Sequence, residues 1–256
     1  MSAHVNYDQI AASYNRRYAV SQQDEIAEAL AALVVAVDAR RILEVGCGTG
    51  RWLVDLCAVA PQVVGLDFSL EMLRQAQSRA VPLIVVQGQA EQLPFAARSF
   101  NLIYCVNAIH HFDGQQGFVD EARRLLRSGG ALAVVGSNPY ERRESWYVYD
   151  YFDGTYETDL ARFPTWEMLC GWMSQAGFAH LKRQTILRIQ DHKYGRKVLD
   201  DPFLHKNSCS QLALLTDQAY AAGLARIHTA LDAAEAAGQT LTFIADLKVE
   251  MLLGRV

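Results

Sequence analysis

Between residues 41 and 139 the chain alternates short runs that are apolar at both odd and even positions with longer amphipathic stretches. The apolar runs are RILEV, QVVGL, PLIVV, NLIYCV and ALAVVG. Strands that are apolar on both faces belong to a parallel sheet covered by helices on each side and joined by right-handed crossovers. The pattern predicts a doubly wound α/β layer. Ahead of it, residues 21–37 start polar and then repeat apolar positions at three- and four-residue spacing, which predicts a helix leading into the first strand.

Beyond Pro139 the texture changes. YERRESWYVYDYFDGTYETDLARF, residues 140–163, crowds tyrosine, tryptophan and phenylalanine without a long period and reads as a loop-rich insertion. Residues 164–178 read as a helix with Thr165 as N-cap, Glu167 in the first turn and Gly177 at the stop. FAHLKRQTILRI and LTFIADLKVEMLLGRV alternate as two final strands, and residues 190–239 between them carry a strong helical pattern. A hairpin needs only a few residues there, so this segment is expected to be an inserted lid. The expected organisation is a core over 1–139 with an N-terminal cap, then completion of the sheet over 140–256, with insertions at about 140–163 and 190–239.

Composition narrows the partners. Half of the 256 residues are apolar and a fifth charged, enough for a full core, and the net charge of −4 offers no general attraction to nucleic acid or acidic membranes. No stretch has the form of a signal peptide or a membrane span, so the expected location is the cytoplasm. The five cysteines are odd in number and never in C-x-x-C spacing, which argues against a disulfide framework or structural zinc. His110 and His111 are the one adjacent histidine pair, and neighbours on one backbone do not converge on a metal; no metal site is expected.

The chemistry concentrates in RRILEVGCGTGRW, residues 40–52, where Gly46, Gly48 and Gly50 follow a strand and precede a helix. Glycine admits positive φ and lets backbone approach a ligand without Cβ interference. A dinucleotide fingerprint would need glycine at position 51, which is Arg51, and a phosphate loop would need Gly-Lys-Ser/Thr. The remaining pattern, G-x-G-x-G, suits a ligand with no pyrophosphate to seat on the helix N-terminus.

ILEVGCGTG resembles the first motif of the class I S-adenosylmethionine-dependent methyltransferases, especially the small-molecule group that includes the ubiquinone/menaquinone-biosynthesis C-methyltransferases. The resemblance covers about residues 7–139 through several motifs in order. It implies a Rossmann-like sheet of seven strands, five parallel and then an antiparallel pair, with helices on both faces. It implies that Gly46, Cys47 and Gly48 cradle the cofactor and that Asp67, closing VVGLD, accepts both ribose hydroxyls. FSLEML is similar to the family's next helix start, placing Phe68, Ser69 and Met72 near the ribose and adenine, although Met72 also reads as core. GQAEQLPF is similar to the loop after strand three, with Gln89 in place of the usual Asp, and it brings Ala90 and Glu91 to the adenine edge. In SFNLIYCVNAIHHF, Asn101 replaces another Asp, and Cys105, Val106 and Asn107 pass beneath the methionine part. Gly129 and Gly130 are read as a turn into strand five. YDQIAASYNRRY resembles a segment that closes over the cofactor, with Tyr14, Tyr18 and Arg17 toward the methionine end; the tyrosines equally suit packing of the first helix.

Glu44, just before the glycines, is expected to orient the cofactor's ammonium, directly or through water, with loop capping as the alternative. If the acceptor must lose a proton, His111 is the preferred base and His110 the second candidate, since histidine titrates nearest neutral pH; a structural pair is the other reading. Trp146, Tyr147, Tyr149, Tyr151, Phe152 and Tyr156 are candidates for an apolar acceptor pocket, or for ordinary packing or a dimer contact. His205, Ser210 and Gln211 are candidates from the lid, with Ser210 equally readable as a helix cap. The expected activity is methyl transfer to a small aromatic or apolar molecule by a monomer or homodimer. The alternatives are a non-catalytic ligand-binding protein and a non-methyl-transferring enzyme with the same cofactor.

Overall fold

The computed structural model describes residue 5 and residues 7–14, 23–141 and 146–256. Its seven strands are β1 (Arg41–Val45), β2 (Gln62–Asp67), β3 (Ile84–Gln87), β4 (Phe100–Val106), β5 (Leu126–Gly136), β6 (Ala179–Tyr194) and β7 (Thr242–Arg255). They form one sheet in the order β3-β2-β1-β4-β5-β7-β6. The first five are parallel, and β7 runs antiparallel to both β5 and β6. Strand order reverses between β1 and β4, which is where open α/β sheets open a ligand crevice at their carboxyl ends.

The apolar runs are doubly buried for the expected reason. On one face Leu43, Val64, Ile103 and Cys105 pack with Phe118, Val119, Trp166 and Met173. On the other, Ile42, Val63, Leu102 and Tyr104 pack with Ile26, Leu30, Leu53 and Leu56. The helices that supply these side chains are α2 (Asp24–Ala36), α3 (Arg51–Cys57), α5 (Gln115–Leu125) and α8 (Trp166–Gln175), while α1 (Tyr7–Tyr14) and α4 (Leu70–Gln77) pack on each other. Asn101 accepts hydrogen bonds from the Arg40 and Arg41 backbone N–H groups, tying the start of β4 to that of β1. Thr165 caps α8 by accepting from Met168 N at 3.1 Å, and Gly177 follows with φ +87°, as the sequence predicts.

Three local readings change. Residues 140–163 are not loop-rich: they contain α6 (Tyr147–Tyr151) and α7 (Thr155–Arg162). Helices of five and eight residues are too short to display a period and are held by tertiary packing. The helical stretch after residue 209 splits into α9 (Ser210–Ala213) and α10 (Asp217–Ala236), because Thr216 accepts from Ala219 N and starts a new helix. Gly129 and Gly130 lie within β5, at a register shift against β4, rather than at a reversal.

The two insertions pack on each other. Trp146, Tyr147, Val148 and Phe152 share a third cluster with Val198, Leu204, Ile227 and Phe243. Contact is close enough that a Cβ on Gly223 of α10 would sit 2.2 Å from the Phe152 ring. Among the described residues no helix is long and apolar enough to cross a membrane.

Candidate active site

β1 ends at Val45 and the chain turns beneath the sheet edge, where the Gly46 and Cys47 N–H groups both donate to Leu66 O. Gly46 has φ +75°, and a Cβ there would meet the Ala108 Cβ at 2.5 Å, so both conformation and space exclude a side chain. Gly48, at φ +52°, has nothing within 4 Å of where its Cβ would be. Asp67, at the end of β2, locks this loop to the next helix: its Oδ2 accepts from Gly48 N at 2.7 Å and its Oδ1 from Ser69 N at 2.9 Å. Burial raises the Asp67 carboxyl above its ordinary value, opposed by the N–H groups of Ser69, Gly48 and Phe68.

A cavity of about 530 Å³ opens over the loop, within the size range of small-molecule sites. Gly46 and Gly48 form its floor. Asp67, Phe68, Met72, Ala90 and Glu91 line the cavity together with Val106, Asn107 and His111. Phe68 is 70% exposed although aromatic and borders the cavity. Glu91 is fixed by accepting from Gly114 N at 2.7 Å.

Other expected residues lie behind this wall. Glu44 is fully buried and accepts from Tyr104 Oη at 3.0 Å; burial pushes its carboxyl well above the ordinary range. Cys47 is buried beside Gly65, and Cys105 lies inside the sheet, with burial pushing both thiols up. Such thiols are inert rather than nucleophilic. Tyr14 closes α1, but its side chain lies outside the described residues, as do Arg17 and Tyr18 entirely.

Two residues that the motifs did not single out, Tyr7 and Asp8, enter the site from α1, beside the expected Asn107 at the exit of β4. Tyr7, Ile10 and Ala11 share one helical face, and Ile10 and Ala11 pack on Met72. That spacing is the signal that places Tyr7 at the cavity, where its Oη lies 2.6 Å from His111 Nε2. Asp8 accepts from Ser69 Oγ at 2.5 Å and from Glu71 N at 3.3 Å, fastening α1 to the start of α4. Asn107 takes a left-handed conformation, φ +48°, while its N–H donates to Val135 O at 2.8 Å. A non-glycine residue held there commonly marks a functional turn.

A second cavity of about 210 Å³ adjoins the first, and Tyr7, Asn107 and His111 border both. His110 faces this second cavity, stacked on Phe163 at 3.8 Å with the rings 10° apart. Of the aromatic candidates, Trp146 and Tyr149 line it; Tyr147 and Phe152 belong to the insertion core, where Tyr151 packs, and Tyr156 packs edge-on against Tyr149. Ser210 and Gln211 also line it, whereas His205 is exposed and does not. Ser210 is no cap: it is the first residue of α9, and its Oγ accepts from Arg162 Nη2. Among the described residues no group of three or more His, Cys, Asp or Glu is placed to hold a metal ion.

Comparison with known proteins decides the family. A methyltransferase domain family model matches residues 43–134. The uncharacterized methyltransferase sll0829 of Synechocystis is 30% identical over 150 residues, covering 56% of this chain and 69% of that protein. The chain belongs to the S-adenosylmethionine-dependent methyltransferases. Malonyl-[acyl-carrier protein] O-methyltransferase of Enterobacter lignolyticus is 33% identical over 135 residues, which span 50% of this methyltransferase and 52% of that relative. Ubiquinone/menaquinone C-methyltransferases are also among its relatives. The crystal structure of YcgJ from Bacillus subtilis superposes with a TM-score of 0.57 at 20% identity, covering 89% of this methyltransferase and 97% of that chain. The enzyme's cofactor is therefore S-adenosylmethionine, and the first cavity fits it. Gly48 leaves room where any side chain would intrude, and each Asp67 oxygen, holding one backbone N–H, keeps a lone pair for a hydroxyl.

Proposed function

We propose that the enzyme methylates a small aromatic or apolar molecule bound in the second cavity, and that transfer occurs where the two cavities meet. The observation that carries this reading is the shared border of Tyr7, Asn107 and His111. Trp146, Phe163, Phe203, Ile189 and Leu247 give the second cavity the apolar walls such an acceptor needs. In this reading residues 1–139 hold the cofactor and most of the acceptor wall comes from 140–256.

Gly46, Cys47 and Gly48 hold the methionine tail by main chain, Asp67 the ribose, and Phe68, Met72, Ala90 and Glu91 the adenine. Cys105 and Val106 underlie the methionine part, Glu44, held in the interior by Tyr104, supports the start of the glycine loop rather than the ammonium, and Tyr14 and Tyr18 belong to the covering segment. The cofactor supplies an electrophilic methyl group on a sulfonium. When bound, it would give up that methyl to the acceptor's lone pair, its sulfur keeping the electrons of the carbon–sulfur bond. The Tyr7 hydroxyl takes the acceptor's proton as its own passes to His111 Nε2, 2.6 Å away. His110, stacked on Phe163, orients the acceptor. Alignment in a water-poor cleft supplies much of the remaining rate enhancement.

The net charge and the scattered cysteines, never in C-x-x-C spacing, support a cytoplasmic enzyme without a nucleic-acid partner, and we take it to act as a monomer or homodimer. The test is a screen with methyl-labelled S-adenosylmethionine against phenols, quinones, amines and carboxylates. A labelled product that disappears in His111→Asn supports the reading. Cofactor binding with no product from any class favours a non-catalytic binding protein instead.

A further inference from the structure

We infer that the acceptor carries a protonated amine, recognised in the second cavity by a wall of hydrogen-bond acceptors organised around Asp159, while a different atom receives the methyl group. This rests on the second cavity being the acceptor site.

Asp159 on α7 borders the cavity and is completely buried. Its Oδ2 accepts from Tyr149 Oη at 2.7 Å and from Gln211 Nε2 at 2.6 Å, and its Oδ1 accepts from Arg162 Nη2 at 2.5 Å. An ionised carboxylate has only acceptor capacity, so it fixes the polarity of every neighbour. The Tyr149 hydroxyl hydrogen must point at Asp159, which leaves the lone pairs of Oη for the cavity. The Gln211 amide must turn its nitrogen to Asp159, which leaves Oε1 on the other side. Ser210 Oγ donates to that Oε1 at 3.3 Å and accepts from Arg162 at 3.2 Å. Tyr149, Ser210 and Gln211 all line the cavity, and the hydrogens these bonds account for are taken up by Asp159 and by Gln211 Oε1.

Charge points the same way. Glu141, Asp191, Asp201 and Glu250 also border the cavity, and Lys248 is the one lysine or arginine among its described lining residues. Arg183 is shared by Glu141 and Glu250, and Lys193 by Asp191 and Asp201, yet neither cation borders the cavity. A cleft lined by one sign of charge concentrates ligands of the other. Trp146 and Tyr149, 5.4 Å apart and edge to face, add aromatic faces that attract an ammonium. A carboxylate ligand would meet acceptors and like charge, which is discrimination by repulsion. An ammonium has no lone pair, so it is the handle by which the acceptor is recognised and the methyl goes to another atom. Asp159 is a positioning residue in this scheme, acting through Tyr149 and Gln211.

The test uses enzyme saturated with S-adenosylhomocysteine and three probes of matched size: 2-phenylethylamine, 2-phenylethanol and 3-phenylpropionate, titrated calorimetrically. The amine is expected to bind about 10-fold or more tighter than the alcohol, and the carboxylate weakest. Asp159→Asn, whose amide can donate, should erase the preference for the amine with S-adenosylhomocysteine affinity unchanged. Tyr149→Phe keeps the ring, needs no new buried polar group, and should weaken the amine about fivefold or more. Equal binding of the three, tightest binding of the carboxylate, binding of none, or an intact preference in a folded variant overturns the inference. Failure of the wild-type enzyme to bind S-adenosylhomocysteine would instead overturn the assignment of the first cavity.

Discussion

Tyr7 Oη and His111 Nε2 lie 2.6 Å apart across 104 residues of sequence, joining the first turn of α1 to the exit of β4 at the border of both cavities. A residue that only packed α1 would tolerate loss of its hydroxyl. A proton-relaying one would not. Tyr7→Phe should therefore lower kcat about 10- to 100-fold with the acceptor KM little changed, and His111→Asn about 100- to 1,000-fold, the usual scale for an acid–base group. The pH–rate profile separates the roles: the acidic limb of kcat should be present in the wild type and flattened in His111→Asn. Unchanged kcat in both variants would leave the pair structural.

Asp67 connects the glycine loop to the first turn of α4 through Gly48 N and Ser69 N. Asp67→Ala should raise the Kd for S-adenosylmethionine about 100-fold or more, the loss expected from two hydrogen bonds to a charged group. Burial holds the Asp67 carboxyl above its ordinary value, so protonation sets in at higher pH than for an exposed aspartate. As pH falls through that raised value the carboxylate is lost and affinity should drop. Calorimetry across mildly acidic pH checks this, and Asp67→Asn should remove the pH dependence.

Gly46 and Gly48 share a left-handed conformation but not an environment. Gly46→Ala sets a methyl 2.5 Å from the Ala108 Cβ in addition to backbone strain, and should cost about 2 kcal/mol or more of stability. Gly48→Ala meets no atom within 4 Å, so about 1 kcal/mol of strain is expected. Its methyl would stand in open space at the floor of the cofactor cavity. Thermal melts and cofactor titrations should thus diverge: Gly46→Ala lowers Tm strongly, whereas Gly48→Ala nearly keeps Tm and loses affinity.

The sheet was legible because each parallel strand is buried on two faces, and short runs such as LIYCV, rich in β-branched and aromatic residues, recur between amphipathic stretches. The glycine loop and Asp67 were legible because strand ends and backbone conformation are local properties. The acceptor side was not. Tyr149 meets Asp159, which also holds Gln211, and Phe152 packs on Gly223 in a helix some seventy residues on, none of which leaves a periodic trace. Tyr7 was hidden similarly, since its partner His111 is brought near only by folding. Glu44 illustrates the converse: its place before the glycines suggested cavity contact, but Tyr104, on the neighbouring strand, draws it into the interior.

Glu44 also yields a stability prediction. It is 1% exposed, and burial is the dominant cause of its raised pKa, only partly opposed by the hydrogen bond from Tyr104. In the unfolded chain the same carboxyl loses its proton near the ordinary value of about 4.3. Between that value and the raised one the folded state binds more protons than the unfolded state, so stability falls as pH rises. The contribution is complete below the ordinary glutamate range and is lost as pH climbs through the folded-state value. Glu44→Gln keeps an oxygen to accept from Tyr104 but has no proton to lose. Unfolding midpoints from about pH 5 to about pH 8 should therefore decline less in Glu44→Gln than in the wild type, with the variant the more stable at the alkaline end. Parallel profiles would mean that Glu44 ionises inside the fold as easily as in water, and that its burial carries no energetic consequence.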